Sequence, residues 1–303
     1  MNESSENLPA QVCQELEAFR SDNRSGAAEL LRKAAAAYQA GALIESREPE
    51  LSLEYRIDMA GCISSVLSKA QPDMAGVLKM IEKVKDALER AGGPRPLELA
   101  ASVASEFAES TSKKAAASAV HGAQLIAQNS VVMTHSRSST VMAALMDAAS
   151  AGRRFTLLAT ESRPMLEGRQ LAEAVSSTGI HVNIMVDAAA ALVMDTVDLV
   201  LVGADRVTPE HVLNKIGTRM IALAARDLGI PIYCLVDTSK FIRQRPSAVQ
   251  RDAPGTEVWP EHPPAVSVIN RYFEEVPIGL FTRIVTESGP LLELTPDLFG
   301  CEV

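Results

Sequence analysis

SVVMTHSRSST, residues 130–140, passes from a short apolar run into a polar cluster and then into a helical pattern. Further apolar runs follow at residues 155–159, 182–186, 199–202, 231–236 and 283–286, and helical patterns such as 141–151 and 219–228 separate several of them. Short apolar runs that alternate with helices are typical of a parallel sheet covered on both faces. The sequence therefore predicts an α/β protein with a Rossmann-like, mainly parallel sheet domain over residues 122–303.

The chain before this sheet has the pattern of a helical domain, which we place at residues 13–121. Apolar residues around Leu16 fit an amphipathic helix, and further helical patterns cover residues 27–42, 57–70, 74–91 and 97–127. The segment AGGPRP at residues 91–96 would interrupt any helix. We expect a loose tail over the first ~12 residues and an excursion loop at 244–264, which is rich in proline and charge.

Composition narrows the class of protein. The chain has 303 residues, of which 47% are hydrophobic and 22% charged, as in ordinary globular proteins with a core. Its net charge of -9 argues against direct nucleic-acid binding, which depends on neutralising phosphates. No apolar run approaches the ~18 residues that a membrane span needs, and no secretory signal is visible. The four scattered cysteines suggest reduced thiols, so we expect a cytoplasmic protein.

Polar clusters follow successive strands of the predicted sheet. They occupy residues 134–140, 160–164, 203–207 and 214–218. An open parallel sheet binds ligands where its strands end. We therefore expect these clusters to face one crevice that binds a small, anionic, hydroxyl-rich molecule.

The first cluster opens a helix. Any of Ser138, Ser139 and Thr140 could cap that helix. The free amides of the helix start could also hold an anion, with Arg137 adding positive charge. Plain capping beside an exposed arginine is the commoner arrangement.

The later clusters carry ionisable groups. Asp205 follows the very apolar strand 199–202 and could act as an acid or base, or bind a hydroxyl. Pairing with Arg206 is the structural alternative. Asn214 could bind sugar hydroxyls and Lys215 could neutralise phosphate, although a helix start with a solvated lysine is equally plausible.

Two other places could hold an anion. Arg24, Ser25, Gly26 and Ala27 lie at a predicted helix start, where glycine allows close backbone approach. Lys240 follows another strand and could supply a further cation, although most lysines are solvated.

Common cofactor motifs are absent from the sequence. Neither the phosphate loop GxxxxGK[ST] nor the dinucleotide fingerprint GxGxxG occurs. Metal-ligand patterns such as HxH and HExxH are also missing. We therefore expect neither a metal nor a nucleotide cofactor.

Together the clusters resemble one protein family. Residues 134–136, 160–164 with 167–168, 203–205, 214–218 and 240–241 occur in the order expected. The family is that of the alpha, beta and delta subunits of translation initiation factor 2B, with methylthioribose-1-phosphate isomerase and archaeal ribose-1,5-bisphosphate isomerase. The similarity spans about residues 23–286. The chain looks nearest to the ribose-1,5-bisphosphate isomerase branch.

The resemblance implies a helical domain, a Rossmann-like domain, and a homodimer or higher homo-oligomer. The family's isomerases interconvert aldose 1-phosphates and ketose 1-phosphates without a metal or nucleotide cofactor. The resemblance makes Asp205 the general acid/base. It places substrate contacts at Arg24, Ser25, Gly26, Ala27, Arg95, Arg137, Ser138, Glu167, Asn214, Lys215 and Lys240.

Three residues depart from the isomerase pattern. Ser136 stands where the isomerases place a catalytic cysteine, and an alcohol loses its proton far less readily than a thiol, whose pKa is about 8.5. Glu167 replaces a glutamine, which puts a negative charge near the expected phosphosugar. Leu97 replaces a threonine.

His135 is a possible substitute base because its pKa suits neutral pH. Neighbouring side chains on a strand point in opposite directions, so His135 and Ser136 should not share one face. This argues against a catalytic role for His135.

Two functions follow from the resemblance. In the first, the chain is a sugar-phosphate isomerase-like protein acting on a ribose 1-phosphate or ribose 1,5-bisphosphate type substrate. Asp205 moves a proton, and Ser136 orients or polarises the reacting group. In the second, the chain is a non-catalytic regulatory subunit that binds a phosphosugar or nucleotide. Ser136 favours the second function. Asp205 favours the first, because regulatory alpha subunits often carry glutamate there.

Overall fold

The computed structural model describes residues 8–22, 25–243 and 252–299. Its internal contacts divide the chain into a helical unit, Met1–Lys113, and a sheet unit, Lys114–Val303. The domain boundary predicted between residues 121 and 122 stays a prediction.

The helical unit packs around a core of apolar side chains. Phe19 and Ile63 are completely buried, and Tyr38 donates or accepts a hydrogen bond of 2.7 Å with Ser64. Gly92 (φ +52°) ends the fourth helix in the left-handed conformation. The described helices of this part of the chain are α1 (Ala10–Arg20), α2 (Ala27–Arg47), α3 (Leu53–Ala70), α4 (Ala75–Ala91) and α5 (Pro96–Gln124).

The sheet unit contains the predicted parallel sheet. Its main elements are β1 (Val131–Thr134), α6 (Ser139–Ser150), β2 (Thr156–Thr160), α7 (Glu167–Ser176), β3 (His181–Met185), β4 (Leu199–Val202), β5 (Arg206–Val207), β6 (His211–Lys215), α8 (Thr218–Asp227), β7 (Ile232–Leu235), β8 (Phe273–Pro277), β9 (Arg283–Thr286) and β10 (Gly289–Pro290). The seven-stranded sheet has the order β10-β9-β7-β4-β1-β2-β3 and is parallel apart from β10. The six strands predicted from the sequence are therefore confirmed.

Both faces of this sheet are covered at the central strands β1, β2 and β4, whereas the edge strand β3 is largely exposed. Val132 and Leu157 belong to one buried cluster, whereas Met133 and Val200 belong to another. Successive residues of a strand point to opposite faces, so the continuous apolar runs reflect burial on two sides. Among the residues that the structure describes, no helix is long and apolar enough to cross a membrane.

The strand order reverses beside β1, which lies between β2 and β4. Such a reversal opens a crevice at the carboxyl ends of the two central strands. A smaller antiparallel sheet, β5-β6-β8, contains part of the polar sequence that follows β4. Neither this small sheet nor α7 is predicted from the sequence.

Candidate functional site

The loops after β1 and β4 meet at the reversal of strand order. A Cβ atom placed on Gly203 would lie 2.5 Å from the Oγ atom of Ser138, closer than real contacts allow. Ser138 Oγ accepts a hydrogen bond of 3.3 Å from the Val141 amide, so Ser138 caps α6. Glycine at 203 thus lets the end of β4 touch the start of α6.

His135 joins three elements of the sheet unit. Its Nδ1 atom lies 2.6 Å from Thr160 Oγ1, and its Nε2 atom lies 2.7 Å from the carbonyl oxygen of Ile216. Burial lowers the pKa of this imidazole, and the charge of Lys215 acts in the same direction. A neutral ring that donates from Nε2 and accepts at Nδ1 satisfies both contacts. Because both nitrogens are used, the ring is suited to holding loops together.

Ser136 adopts an unusual backbone conformation. β1 ends at Thr134, so strand alternation does not govern residue 136, whose φ is +67°. Its amide donates a 2.8 Å hydrogen bond to Ser162 Oγ. Ser162 and Leu166 also have positive φ, at +64° and +60°. Such non-glycine conformations cluster at functional sites.

Asp187 fixes the backbone of the loop that follows β2 and contains Ser162. Its two carboxylate oxygens accept hydrogen bonds of 2.7 Å from the amides of Ser162 and Arg163. Sequence reasoning missed Asp187, although its place two residues after β3 matches the pattern of the other clusters.

Asp205 is half-buried at the end of β4. Its amide donates a 3.0 Å hydrogen bond to the Leu213 carbonyl, which fastens Asp205 next to Asn214 on β6. Lys240 Nζ donates a 2.6 Å bond to the carbonyl of Ala204. Three predicted residues, Asp205, Asn214 and Lys240, are thereby brought to one place.

Cys234, on β7, lies next to the residues that precede Asp205. The thiol is completely buried, with Sγ 3.7 Å from the Gly203 carbonyl. Burial raises the pKa of Cys234 to about 12; Lys240 opposes this rise and Asp205 adds to it. The thiol therefore stays protonated and is no substitute for the catalytic cysteine of the isomerase pattern.

Lys215 and Glu167 form a buried ion pair. Lys215 Nζ lies 2.7 Å from Glu167 Oε1, and the exposed fractions of the two side chains are 2% and 16%. The ammonium group also lies 5.5 Å from the centre of the Tyr272 ring. The solvated-lysine alternative is therefore wrong, because Lys215 lies inside the protein with a fixed partner.

Asn214 is also buried, at 6% exposure. Its Nδ2 atom donates a 2.9 Å bond to Thr218 Oγ1, which in turn donates to the Lys215 carbonyl at 2.6 Å. These bonds hold the Asn214 side chain by its amino group.

Arg137 follows Ser136 in the same loop. It is half-buried, and its Nε atom is buried without a hydrogen-bond partner among the described residues. A buried donor without a partner is costly and is rare in native proteins. Arg137 is therefore a group that an acceptor could satisfy.

The helical unit contains the other predicted residues. Arg24 lies outside the described residues. The Ser25 amide donates to Asp22 Oδ1 at 2.8 Å, while Gly26 and Ala27 begin α2. Exposed Arg95 pairs with Glu98 at 2.9 Å. The phosphate-binding role of these residues stays a prediction.

Leu97 has a core position in the same unit. It is completely buried, and a Cβ atom on Gly41 would lie 3.1 Å from its Cδ2 atom. A leucine here fills space in the core.

Among residues 8–22, 25–243 and 252–299, no group of three or more His, Cys, Asp or Glu side chains could hold a metal ion.

The fold and the site define a doubly wound α/β protein with a helical N-terminal unit and a cluster of polar loops at the reversal of strand order. The chain belongs to the Initiation factor 2 subunit family, which matches residues 8–292. This confirms the family resemblance found in the sequence.

Individual relatives include both kinds of family member. The chain is 30% identical to the putative translation initiation factor eIF-2B subunit 2-like protein of Pyrococcus furiosus, over 94% of this chain and 98% of that protein. It is 35% identical to the ribose 1,5-bisphosphate isomerase of Archaeoglobus fulgidus, over 56% of each protein. Methylthioribose-1-phosphate isomerases are also among its relatives. These similarities to isomerases span little more than half of each protein.

A solved structure shows the same fold over nearly the whole chain. The translation initiation factor eIF-2B structure from Pyrococcus horikoshii OT3 has a TM-score of 0.81 and 29% identity, and the match covers 94% of this chain and 98% of that one.

Proposed function

We propose that this chain is an aldose–ketose isomerase for a ribose 1-phosphate or ribose 1,5-bisphosphate type substrate. The observation that carries this proposal is the position of Asp205, half-buried at the carboxyl end of β4, with its backbone bonded beside Asn214 and Lys240 nearby. The isomerases among its relatives support the same reaction class.

The reaction needs no external oxidant or reductant. A hydrogen moves from C2 to C1 of the sugar, and C2 becomes a carbonyl as its hydroxyl loses a proton. The bond between C1 and the ring oxygen breaks, and that oxygen gains a proton. The product is the open-chain ketose 1-phosphate, with the same atoms as the substrate. The protein must therefore move protons and position the sugar.

Asp205 is the group that we assign to proton transfer. A carboxylate accepts the proton from one sugar atom and, once protonated, returns it to another. Ser136 donates a hydrogen bond to the reacting oxygen and, unlike a thiol, does not ionise near neutral pH. Arg137, Ser138 and the first amides of α6 are suited to phosphate, because the start of a helix favours an anion.

A second candidate is a non-catalytic subunit that binds a phosphosugar or nucleotide. Serine in place of the isomerases' cysteine favours it, as does the similarity to eIF-2B subunit 2-like proteins. In that case the binding of the phosphosugar or nucleotide in the crevice regulates the protein, and the ligand is not converted.

Turnover separates the two candidates. Purified protein is incubated with ribose 1,5-bisphosphate, methylthioribose 1-phosphate and 5-deoxyribose 1-phosphate, and ketose is measured by NMR. We expect turnover that falls about a hundred- to ten-thousand-fold in Asp205→Asn, the usual range for a positioned proton-transfer group. Ser136→Ala should reduce it only a few-fold.

The matched control is Asp227→Asn, an exposed carboxylate at the other end of α8 from the site. It should retain full turnover. Tight binding by calorimetry without ketose from any of the three sugars would establish the second candidate. Full turnover in Asp205→Asn would remove the assigned acid/base.

A further inference from the structure

The ion pair of Glu167 and Lys215 changes the charge that the crevice can offer a ligand. Lys215 Nζ lies 2.7 Å from Glu167 Oε1, and the Lys215 side chain is only 2% exposed. The ammonium charge is therefore neutralised inside the protein. A lysine held in this way cannot also balance a phosphate dianion. Two other cations of the sheet unit have acidic partners as well: Arg169 lies 2.5 Å from Glu161, and Arg206 lies 3.5 Å from Glu275.

Only one oxygen of Glu167 is used by this pair. The other, Oε2, is buried and has no hydrogen-bond partner among the described residues. Native proteins rarely leave a buried acceptor unsatisfied, and such groups mark places where a ligand or water binds. The partner that fits is a hydrogen-bond donor, such as a hydroxyl. A phosphate oxygen is an acceptor with negative charge and is repelled there.

The backbone holds this carboxylate in position. Glu167 is the first residue of α7, where the helix end favours negative charge. A Cβ atom on the following Gly168 would lie 1.7 Å from the Thr160 carbonyl, so α7 begins directly against the end of β2. Thr160 in turn contacts His135, which joins the loops after β1 and β6. Glu167 is thus fixed to the same loop cluster as Ser136.

Resting on the proposed function, we propose that Glu167 determines substrate specificity. Its carboxylate neutralises Lys215 and accepts a hydrogen bond from a sugar hydroxyl. The crevice therefore selects a sugar monophosphate with a free hydroxyl at this point over a sugar bisphosphate.

Binding of two probes tests the proposal. The dissociation constants of ribose 1-phosphate and ribose 1,5-bisphosphate are measured by calorimetry at one salt concentration. Wild-type protein should bind the monophosphate about tenfold more tightly, as expected for one hydrogen bond to a charged group. In Glu167→Gln the amide oxygen faces Lys215 and the amino group becomes a donor. The preference should shift at least about tenfold toward the bisphosphate.

Two further variants make the result specific. Glu173→Gln removes the same charge from an exposed position on α7 and should change the ratio of the two constants less than about twofold. Glu167→Gln with Lys215→Met leaves no buried lysine without a partner, so it tests the proposal if the single variant does not fold. It should also lose the preference for the monophosphate.

The outcomes distinguish failure of this inference from failure of the proposed function. A ratio in both Glu167 variants that matches Glu173→Gln, or a wild-type preference for the bisphosphate, would overturn this inference while the proposed function stands. Failure of both sugars to bind to any variant or to wild type would overturn the proposed function together with the inference.

Discussion

Two carboxylates, buried Glu45 in the helical unit and half-buried Glu167 in the sheet unit, show how differently the protein uses an ion pair. Glu45 in the helical unit accepts hydrogen bonds from the amides of Leu97 (3.5 Å) and Glu98 (2.9 Å), and its Oε1 lies 3.8 Å from Arg56. Glu167 in the sheet unit binds Lys215 through one oxygen and leaves the other without a partner.

The difference separates a structural carboxylate from one that is available to a ligand. Both oxygens of Glu45 are occupied by the start of α5, which has free amides that need acceptors. The same Arg56 also donates to the carbonyls of Pro94 (3.0 Å) and Pro49 (2.6 Å), so it holds the turns on either side. In this protein, whether the second carboxylate oxygen has a partner says more about the role of the residue than whether the residue forms an ion pair.

The largest effect should come from removing the structural carboxylate. Glu45→Ala leaves the charge of Arg56 and the amides of Leu97 and Glu98 without their acceptor. We expect the free energy of unfolding to fall by about 3–5 kcal/mol, as when a buried pair loses one member. Denaturant titration followed by circular dichroism measures this change.

The neighbouring Glu48→Ala is the control for Glu45→Ala, because Glu48 is exposed near the end of the same helix. It should change stability by no more than about 0.5 kcal/mol. A similar loss in both variants would contradict the structural role of Glu45.

An intermediate effect should come from replacing each pair by apolar residues. Glu167→Met with Lys215→Met should leave stability unchanged or raise it by about 1–2 kcal/mol, because two charges no longer have to be desolvated. Glu45→Met with Arg56→Met should still lower stability, because the amides of α5 lose their acceptor. An equal change in the free energy of unfolding of the two double variants, measured by denaturant titration, would contradict the difference between Glu45 and Glu167.

The smallest effect should come from a third carboxylate, Glu287, whose two oxygens are both used within the sheet unit. Oε2 accepts from the Thr238 amide at 3.0 Å, Oε1 accepts from the Thr238 hydroxyl, and Lys114 lies 3.4 Å away. Burial raises the pKa of Glu287, but the bonds from Thr238 and the charge of Lys114 outweigh it, so the pKa lies below its ordinary value of 4.5.

A carboxylate with a lowered pKa stabilises the folded state above its unfolded pKa. Wild type should therefore be more stable than Glu287→Gln by about 1 kcal/mol at neutral pH, the usual size of one hydrogen bond. This difference should shrink as the pH falls below 4.5 and through the lowered pKa of the folded state. Thermal unfolding of both proteins from pH 7 to pH 3 measures it, and a difference that grows with acidity would show that the assigned sign is wrong.

The sequence predicts six of the seven strands of the main sheet because these strands are short and mostly apolar, whereas β10 is missed because it has only two residues, Gly289 and Pro290. Asp205 is conspicuous in the sequence because it is the first charged residue after the fully apolar strand β4. The small sheet was missed because β5 has only two residues and β6 ends in Asn214 and Lys215, which favour loops and solvent. Helix α7 was missed because it follows a proline-containing turn and begins at Glu167 with a glycine next to it.

The partners of the ionisable groups were harder to predict. A lysine is normally solvated, so nothing local in the sequence indicates that Lys215 is buried against a residue 48 positions earlier. The contact of Gly203 with Ser138 likewise depends on the order of β1 and β4 in the sheet. Pattern reasoning located the candidate residues, whereas the topology determined which of them meet.

The protonated state of Cys234 affects how the crevice responds to oxidants. Peroxides and alkylating reagents attack thiolates that they can reach, whereas this sulfur is enclosed and has a pKa of about 12. Among the described residues near Asp205, position 136 is a serine and the sulfur of Cys234 is enclosed, so neither offers such reagents a thiolate that they can reach. Oxidants that would modify a reactive cysteine at position 136 should therefore leave both of these positions unmodified.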